Sequence, residues 1–192
     1  NKNLISKFQY IDFLMLMAAA RGTAMMGSPG GCSGQNHGYK KSLFIKVNGF
    51  KDIAKDIGDD TLFLQMCIKK EKPKVTFASH PDSHVICRTE NKLLPFLKQR
   101  IRWSGDANVM YKYNTFFYVI VLSTFITNII LIYVLKDIFI NLNFLTINFL
   151  IIGSKVIPEF YLFIITNKKL NKSNRVFSFL FWMILQPFYV FI

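Results

Sequence analysis

Cysteine is scarce in this 192-residue chain: Cys32, Cys67 and Cys87 stand apart, with no CxxC pair and no histidine at metal-ligand spacing. An odd, scattered set excludes a disulfide framework and fits a reducing compartment, with all three thiols read as buried and structural. His80 and His84 lie four apart around Asp82, but Pro81 argues against the helix that would make them a ligand pair, so no metal site is assigned. An initiator Met, a signal peptide and a transit peptide are missing, and the end falls inside the apolar run Phe188-Tyr189-Val190-Phe191-Ile192, so the chain reads as a fragment of a longer protein. Internal repeats, low-complexity linkers, a phosphate-loop pattern and a dinucleotide fingerprint are absent too. Acidic residues are few, 11 against 24 Lys/Arg, for a net charge of +13. The basic residues form no nucleic-acid-binding module, so nucleic acid is not among the expected partners.

What is present is apolar. Hydrophobic residues make up 52% of the chain and aromatic ones 16%, more than a soluble domain needs, which points to lipid. The basic charge is uneven. Residues 1–113 carry 18 Lys/Arg and 9 Asp/Glu, whereas residues 114–192 carry 6 and 2 over mostly apolar sequence. The first half therefore suits anionic lipid or a phosphorylated substrate, or is a solvated basic surface beside a membrane. The second half predicts about three membrane helices, over 115–135, 138–166 and 175–192. Asn141, Asn143, Asn148, Lys155 and Glu159 interrupt the second of these; Lys155 and Glu159 are spaced to pair on one helix face, and Pro158 marks a possible kink. The basic link Asn167-Lys168-Lys169-Leu170-Asn171-Lys172 contrasts with Lys136 beside Asp137 at the other turn, which places residues 1–113 and 167–175 in the cytoplasm.

Within the first half, Leu4, Phe8, Ile11, Phe13, Leu14 and Met17 predict a helix over 4–20. Gly and Ser over 27–38 predict a loop with unusual backbone angles. A short helix follows over 41–47, ended by Asn48-Gly49, and another from Asp59 or Asp60 to Lys70 with Leu62, Phe63, Met66 and Cys67 inward. Val75-Thr76-Phe77-Ala78 reads as a short strand. Residues 91–112 read as one amphipathic interfacial helix, with Leu93, Leu94, Phe96, Leu97, Ile101 and Trp103 set against Lys92, Lys98, Arg100 and Arg102.

Three groups of residues have the chemistry of a site. Asp59-Asp60 at a helix start is either a capping pair or an ionised carboxylate able to take a proton from a substrate hydroxyl. Gln99, Arg100, Arg102 and Trp103 either anchor the interfacial helix to headgroups or grip a phosphate through arginine beside a flat apolar ring. In the glycine-rich loop, Asn36, His37 and Lys40 either line a ligand site or belong to a tight structural turn.

In their order, these segments resemble the membrane-bound, processive-type members of glycosyltransferase family 2, such as the cellulose, hyaluronan and poly-N-acetylglucosamine synthases. Ser33-Gly34-Gln35-Asn36 through Lys40-Lys41-Ser42, with Val47-Asn48-Gly49-Phe50, is similar to the family's "G-x-N-x-x-x-R/K-K…V-G-G-F" segment, Asn48 standing where the family has Gly. Gly58-Asp59-Asp60-Thr61 resembles its E/D-D motif, and Gln99-Arg100-Ile101-Arg102-Trp103 matches Q-x-x-R-W. The resemblance implies an α/β fold: residues 1–113 would be the C-terminal, acceptor part of a cytoplasmic GT-A Rossmann-like domain, followed by transmembrane helices over 114–192. It implies transfer of a hexosyl or N-acetylhexosaminyl group from a nucleotide-sugar donor to a saccharide or lipid-linked acceptor, with inversion, in polysaccharide biosynthesis at the bacterial inner membrane. Asp60 would be the general base and Asp59 its support; Gln99 and Arg102, helped by Arg100, would hold the donor diphosphate, and Trp103 would stack on the acceptor sugar. Asn36 and His37 would line the substrate site. The family's Asp-x-Asp motif is absent, so the donor half and the ligands of the expected Mg or Mn ion would precede Asn1, and the isolated chain would not turn over. The competing expectation is a non-catalytic, membrane-anchored basic module that binds anionic lipid or a protein partner. A transporter, suggested by Lys155 and Glu159, fits poorly with three spans and a large cytoplasmic half.

Overall fold

The computed structural model describes residues 3–53, 59–105, 107–142, 145–172 and 175–191. They form helices α1 (Leu4–Met25), α2 (Lys41–Lys46), α3 (Asp59–Glu71), α4 (Leu93–Ser104), α5 (Ala107–Tyr113), α6 (Thr115–Ile140), α7 (Thr146–Lys169) and α8 (Val176–Tyr189), with single 3-10 turns at Gly34–Asn36 and Pro81–Ser83. Two compact units result, residues 16–119 and residues 1–15 with 120–192. The sequence boundary near 113 matches the junction of α5 and α6, but the start of α1 groups with the membrane helices.

The expected α/β architecture is corrected: the described residues are helical and contain no strand. Val75-Thr76-Phe77-Ala78, the one segment read as a strand, is coil. A strand satisfies its amides through a neighbouring strand, and a four-residue β-rich segment without one forms no ladder.

In the 16–119 unit, α1 ends at Gly27, whose φ of 78° lets Ser28 N–H reach back to Thr23 O at 3.0 Å and Gly27 N–H to Ala24 O at 3.1 Å. The helix runs past the expected end at 20 because Ala18, Ala19, Ala20 and Arg21 are strong helix formers. At the end of α2, Asn48 and Gly49 both take left-handed angles, φ 68° and 61°, and Gly49 N–H donates to Phe44 O at 2.9 Å. Asn is the non-glycine residue that best tolerates this conformation, which is why it can occupy the first position. Val47, Phe63, Met66 and Cys67 form the core here, with Leu43, Phe44 and Ile53 against them. All six residues from Leu62 to Cys67 are buried, so α3 is enclosed on every side. It packs against α5 and the Gly34–Asn36 turn, and α4 packs against α5. The single helix expected over 91–112 is two, divided after Ser104 at Gly105, a poor helix former.

In the other unit, α6 and α7 are long and apolar enough to cross a membrane, whereas α8, at 14 residues, is short of that length. At 1.5 Å per residue α8 covers about 21 Å against about 30 Å of hydrocarbon. The first span extends past the expected 135 to Ile140, because Lys136 and Asp137 do not break a helix, and the turn comes at Leu142, with φ 52°. Asp137 accepts amide hydrogen bonds from Asn141 at 3.1 Å and Asn148 at 3.0 Å, closing that turn. Phe163 stacks on Phe179 at 4.6 Å between ring centroids, with Trp182 buried beside them. The Trp182 indole donates to the buried carboxylate of Asp12 at 3.2 Å. The outer faces of α6 and α7 expose Leu122, Ile126, Ile129, Leu150 and Ile157, apolar side chains that suit lipid contact.

Candidate functional site

The glycine-rich loop before α2 is held by buried polar side chains that take its backbone groups. Gln65, buried on α3, donates to Pro29 O at 2.7 Å and Gly30 O at 3.3 Å. Thr23 Oγ1 accepts from Gly30 N–H at 3.1 Å, and Asn114 Nδ2 donates to Pro29 O at 3.2 Å. A Cβ on Gly30 would fall inside the ring of Phe117, so this position requires glycine for close approach.

This anchoring delivers Gly34 to Asp60. The Gly34 amide donates to Asp60 Oδ2 at 2.6 Å, and the Thr61 amide donates to Oδ1 at 2.7 Å. Both bonds are charge-assisted and set the carboxylate's plane. A Cβ on Gly34 would lie 3.1 Å from Asp60 Oδ2. The Cys32 thiol donates to the Asp60 carbonyl at 3.3 Å. Burial, then the Asp60 carboxylate and Cys67, push that thiol up to about 12, so Cys32 stays protonated and inert.

His37 is half-buried beside Tyr39 and Phe63, with ring centroids 5.3 and 6.1 Å away. Burial lowers its pKa from the usual 6.5, against the pull of Asp60, so at neutral pH it is an uncharged imidazole. Phe50 packs on Phe63 at 4.8 Å, which ties the Val47–Phe50 segment to the helix that carries Asp60. Asn36 does not turn toward Asp60 but donates to Ser83 O at 2.6 Å, and the Cys87 thiol donates to Gln35 Oε1 at 2.8 Å. The 3-10 turn is thereby fastened to the 81–87 segment. Cys67 is buried as expected, Cys32 is half-buried, and Cys87 is exposed, correcting the reading of all three as buried.

On α4, Gln99 and Trp103 are half-buried and Arg102 is exposed. The Arg100 guanidinium lies 4.2 Å from the Trp103 ring centroid and 5.1 Å from that of Phe96, so it covers one face of the indole. Leu93, Leu94 and Ile101 are exposed, an apolar stripe beside basic side chains. The structure thus joins the Gly34–His37 loop to Asp60. Among the described residues, Asp60 takes no hydrogen bond from Gln99, Arg100, Arg102 or Trp103; α4 connects to α3 through α5. Gly58 and the side chain of Asp59 lie outside what is described. No group of His, Cys, Asp and Glu among the described residues fits a metal ion, so no step is routed through one. His80 and Asp82 instead form a local turn, with Asp82 N–H donating to His80 Nδ1 at 3.4 Å.

Sequence reading missed Gly34 as a donor and Gln65 and Thr23 as the loop's anchors. Their bonds go to backbone atoms distant in sequence and leave no local pattern. In comparisons with family models, with characterised proteins and with solved structures, the chain finds no match.

Proposed function

We propose that this chain is the acceptor- and base-carrying part of a membrane-integrated inverting glycosyltransferase. The supporting observation is the Gly34–Asp60 contact: two blocks of the resemblance, 26 residues apart in sequence, meet at the one carboxylate assigned as the base. In this reading an acceptor hydroxyl gives its proton to Asp60 as its oxygen bonds to the anomeric carbon of the donor sugar. The bond from that carbon to the diphosphate oxygen breaks, and the nucleoside diphosphate leaves with the electron pair. Arg102, exposed on α4, is the cation best placed to meet the diphosphate, with Gln99 one turn before it on α4. The acceptor is a saccharide or a lipid-linked sugar, and the exposed Leu93, Leu94 and Ile101 keep α4 at the membrane face.

The test is sugar transfer by membranes carrying the protein expressed from its full coding region, assayed with a panel of nucleotide-sugar donors. Asp60→Asn lowers the rate by about 10²–10⁴, the usual worth of a positioned general base, while donor binding persists. A rate within twofold of the parent sinks the assignment and favours a lipid-binding basic module, which is indifferent to Asp60.

A further inference from the structure

The membrane helices contain a polar group that the reading above does not use. Lys155 is buried, 6% exposed, and its ammonium donates to Glu159 Oε1 at 2.6 Å and to Gln186 Oε1 of α8 at 2.9 Å. Lys155 and Glu159 lie about 14 and 20 Å along α7 from its first residue, too deep for either side chain to reach an interface. Buried charge at this depth is expensive and marks a site by default. The pair is neutral overall but not fully satisfied. Glu159 Oε2 is buried with no hydrogen-bond partner among the described residues. The ammonium keeps one of its three N–H bonds beyond the two described.

Beside the pair is a cavity of about 280 Å³ between α6 and α7, lined by Thr127, Ile130, Leu131, Ile151, Ser154 and Lys155. Its two hydroxyls have already spent their protons, Thr127 on Ser123 O at 2.7 Å and Ser154 on Ile151 O at 2.7 Å, so each presents only lone pairs. An occupant must therefore accept from Lys155 and donate to Thr127 or Ser154. A hydroxyl does both. The ion pair's neutrality leaves no net charge to balance that of a charged occupant. The remaining lining is aliphatic, Ser154 is exposed at the mouth, and the adjoining faces of α6 and α7 expose Ile126, Ile129, Ile147 and Leu150 along which a hydrocarbon chain can lie.

We propose that the α6–α7 cavity binds the hydroxyl group of a neutral lipid alcohol, held by Lys155, Thr127 and Ser154 at mid-membrane depth. The site stands on its own and does not depend on the glycosyltransferase reading. The experiment reconstitutes the full chain in phosphatidylcholine nanodiscs with a diazirine-bearing long-chain alcohol, irradiates, and maps the labelled peptides by mass spectrometry. Two parallel probes carry the same chain and diazirine, one ending in a methyl ether and one in a glucoside. The alcohol is expected to label the peptides of α6 and α7 about fivefold more than the ether does, the worth of one neutral hydrogen bond. Thr127→Val and Ser154→Ala together bring it down to the ether's level. The paired replacement Lys155→Met with Glu159→Leu, which leaves no lone charge behind, does the same. Equal labelling by alcohol and ether, or labelling unchanged in both variants, overturns the proposal. Labelling by the glucoside alone also overturns it, in favour of a saccharide site.

Discussion

At Cys32, burial is the first cause and the Asp60 carboxylate the second of a thiol raised to about 12, whereas Cys87 is exposed. Only the thiolate reacts with electrophiles. In the folded protein at pH 8, a maleimide is therefore expected to modify Cys87 and to spare Cys32 and the buried Cys67 until the chain is denatured, as read by peptide mapping. Labelling of Cys32 at the rate of Cys87 would show that the loop does not rest on Asp60. The raised thiol also gives a direction with pH. The unfolded thiol ionises first, near 9.0, so the stability gained by keeping Cys32 neutral is complete below that value and is lost as pH climbs toward about 12. At this scale the sequence disclosed the polar side chains and not their partners. Asp60 and His37 were legible because a carboxylate at a helix start and a histidine in a glycine-rich loop are unusual choices. The Gly34 amide was not, because every residue but proline carries one. Asn36 was legible as well, but its amide serves Ser83.

Among the elements, helices with a clear period were read well. The expected α3, with Leu62, Phe63, Met66 and Cys67 inward, differs from the observed helix only at its last residue, and all four are buried. The strand at Val75–Ala78 failed because β-propensity expresses itself only against a neighbour. The α4–α5 division failed because the apolar pattern runs on through Gly105 and gives no sign of a break. The loop before α2 allows a sharper test of packing. Gly30→Ala places a methyl group in the ring of Phe117 and should cost about 1–3 kcal/mol, the range for overpacking. Phe117→Leu, by making room, should recover most of that when combined with Gly30→Ala, a coupling measurable by a double-mutant cycle on thermal unfolding. Additive losses would mean that the two residues do not touch.

For the whole chain, composition alone gave the membrane character, and the described residues include two helices that meet the length and hydropathy of a span. Fold class was not legible in the same way. It came from a resemblance resting on short motifs, and motifs specify side chains at a site rather than the layers beneath it. Orientation can be measured directly. Lys168, Lys169, Lys172 and Arg175 follow α7, while Lys136 and Asp137 cancel at the other end of the α6–α7 pair. A fluorescent protein that matures only in the cytoplasm should light up when fused after Lys172 and stay dark when fused after Leu142. The reverse pattern would place residues 16–119 outside.

The partner of Lys155 on its own helix has a consequence for how the protein is made. Glu159 lies four residues on, so the two charges neutralise each other as soon as that turn of α7 forms, before α8 has left the ribosome. The segment is therefore presented to the insertion machinery as a polar but uncharged helix. Gln186 is added only when α8 follows. Moving Glu159 onto α8 would preserve the finished contacts while requiring α7 to enter the bilayer carrying a bare ammonium.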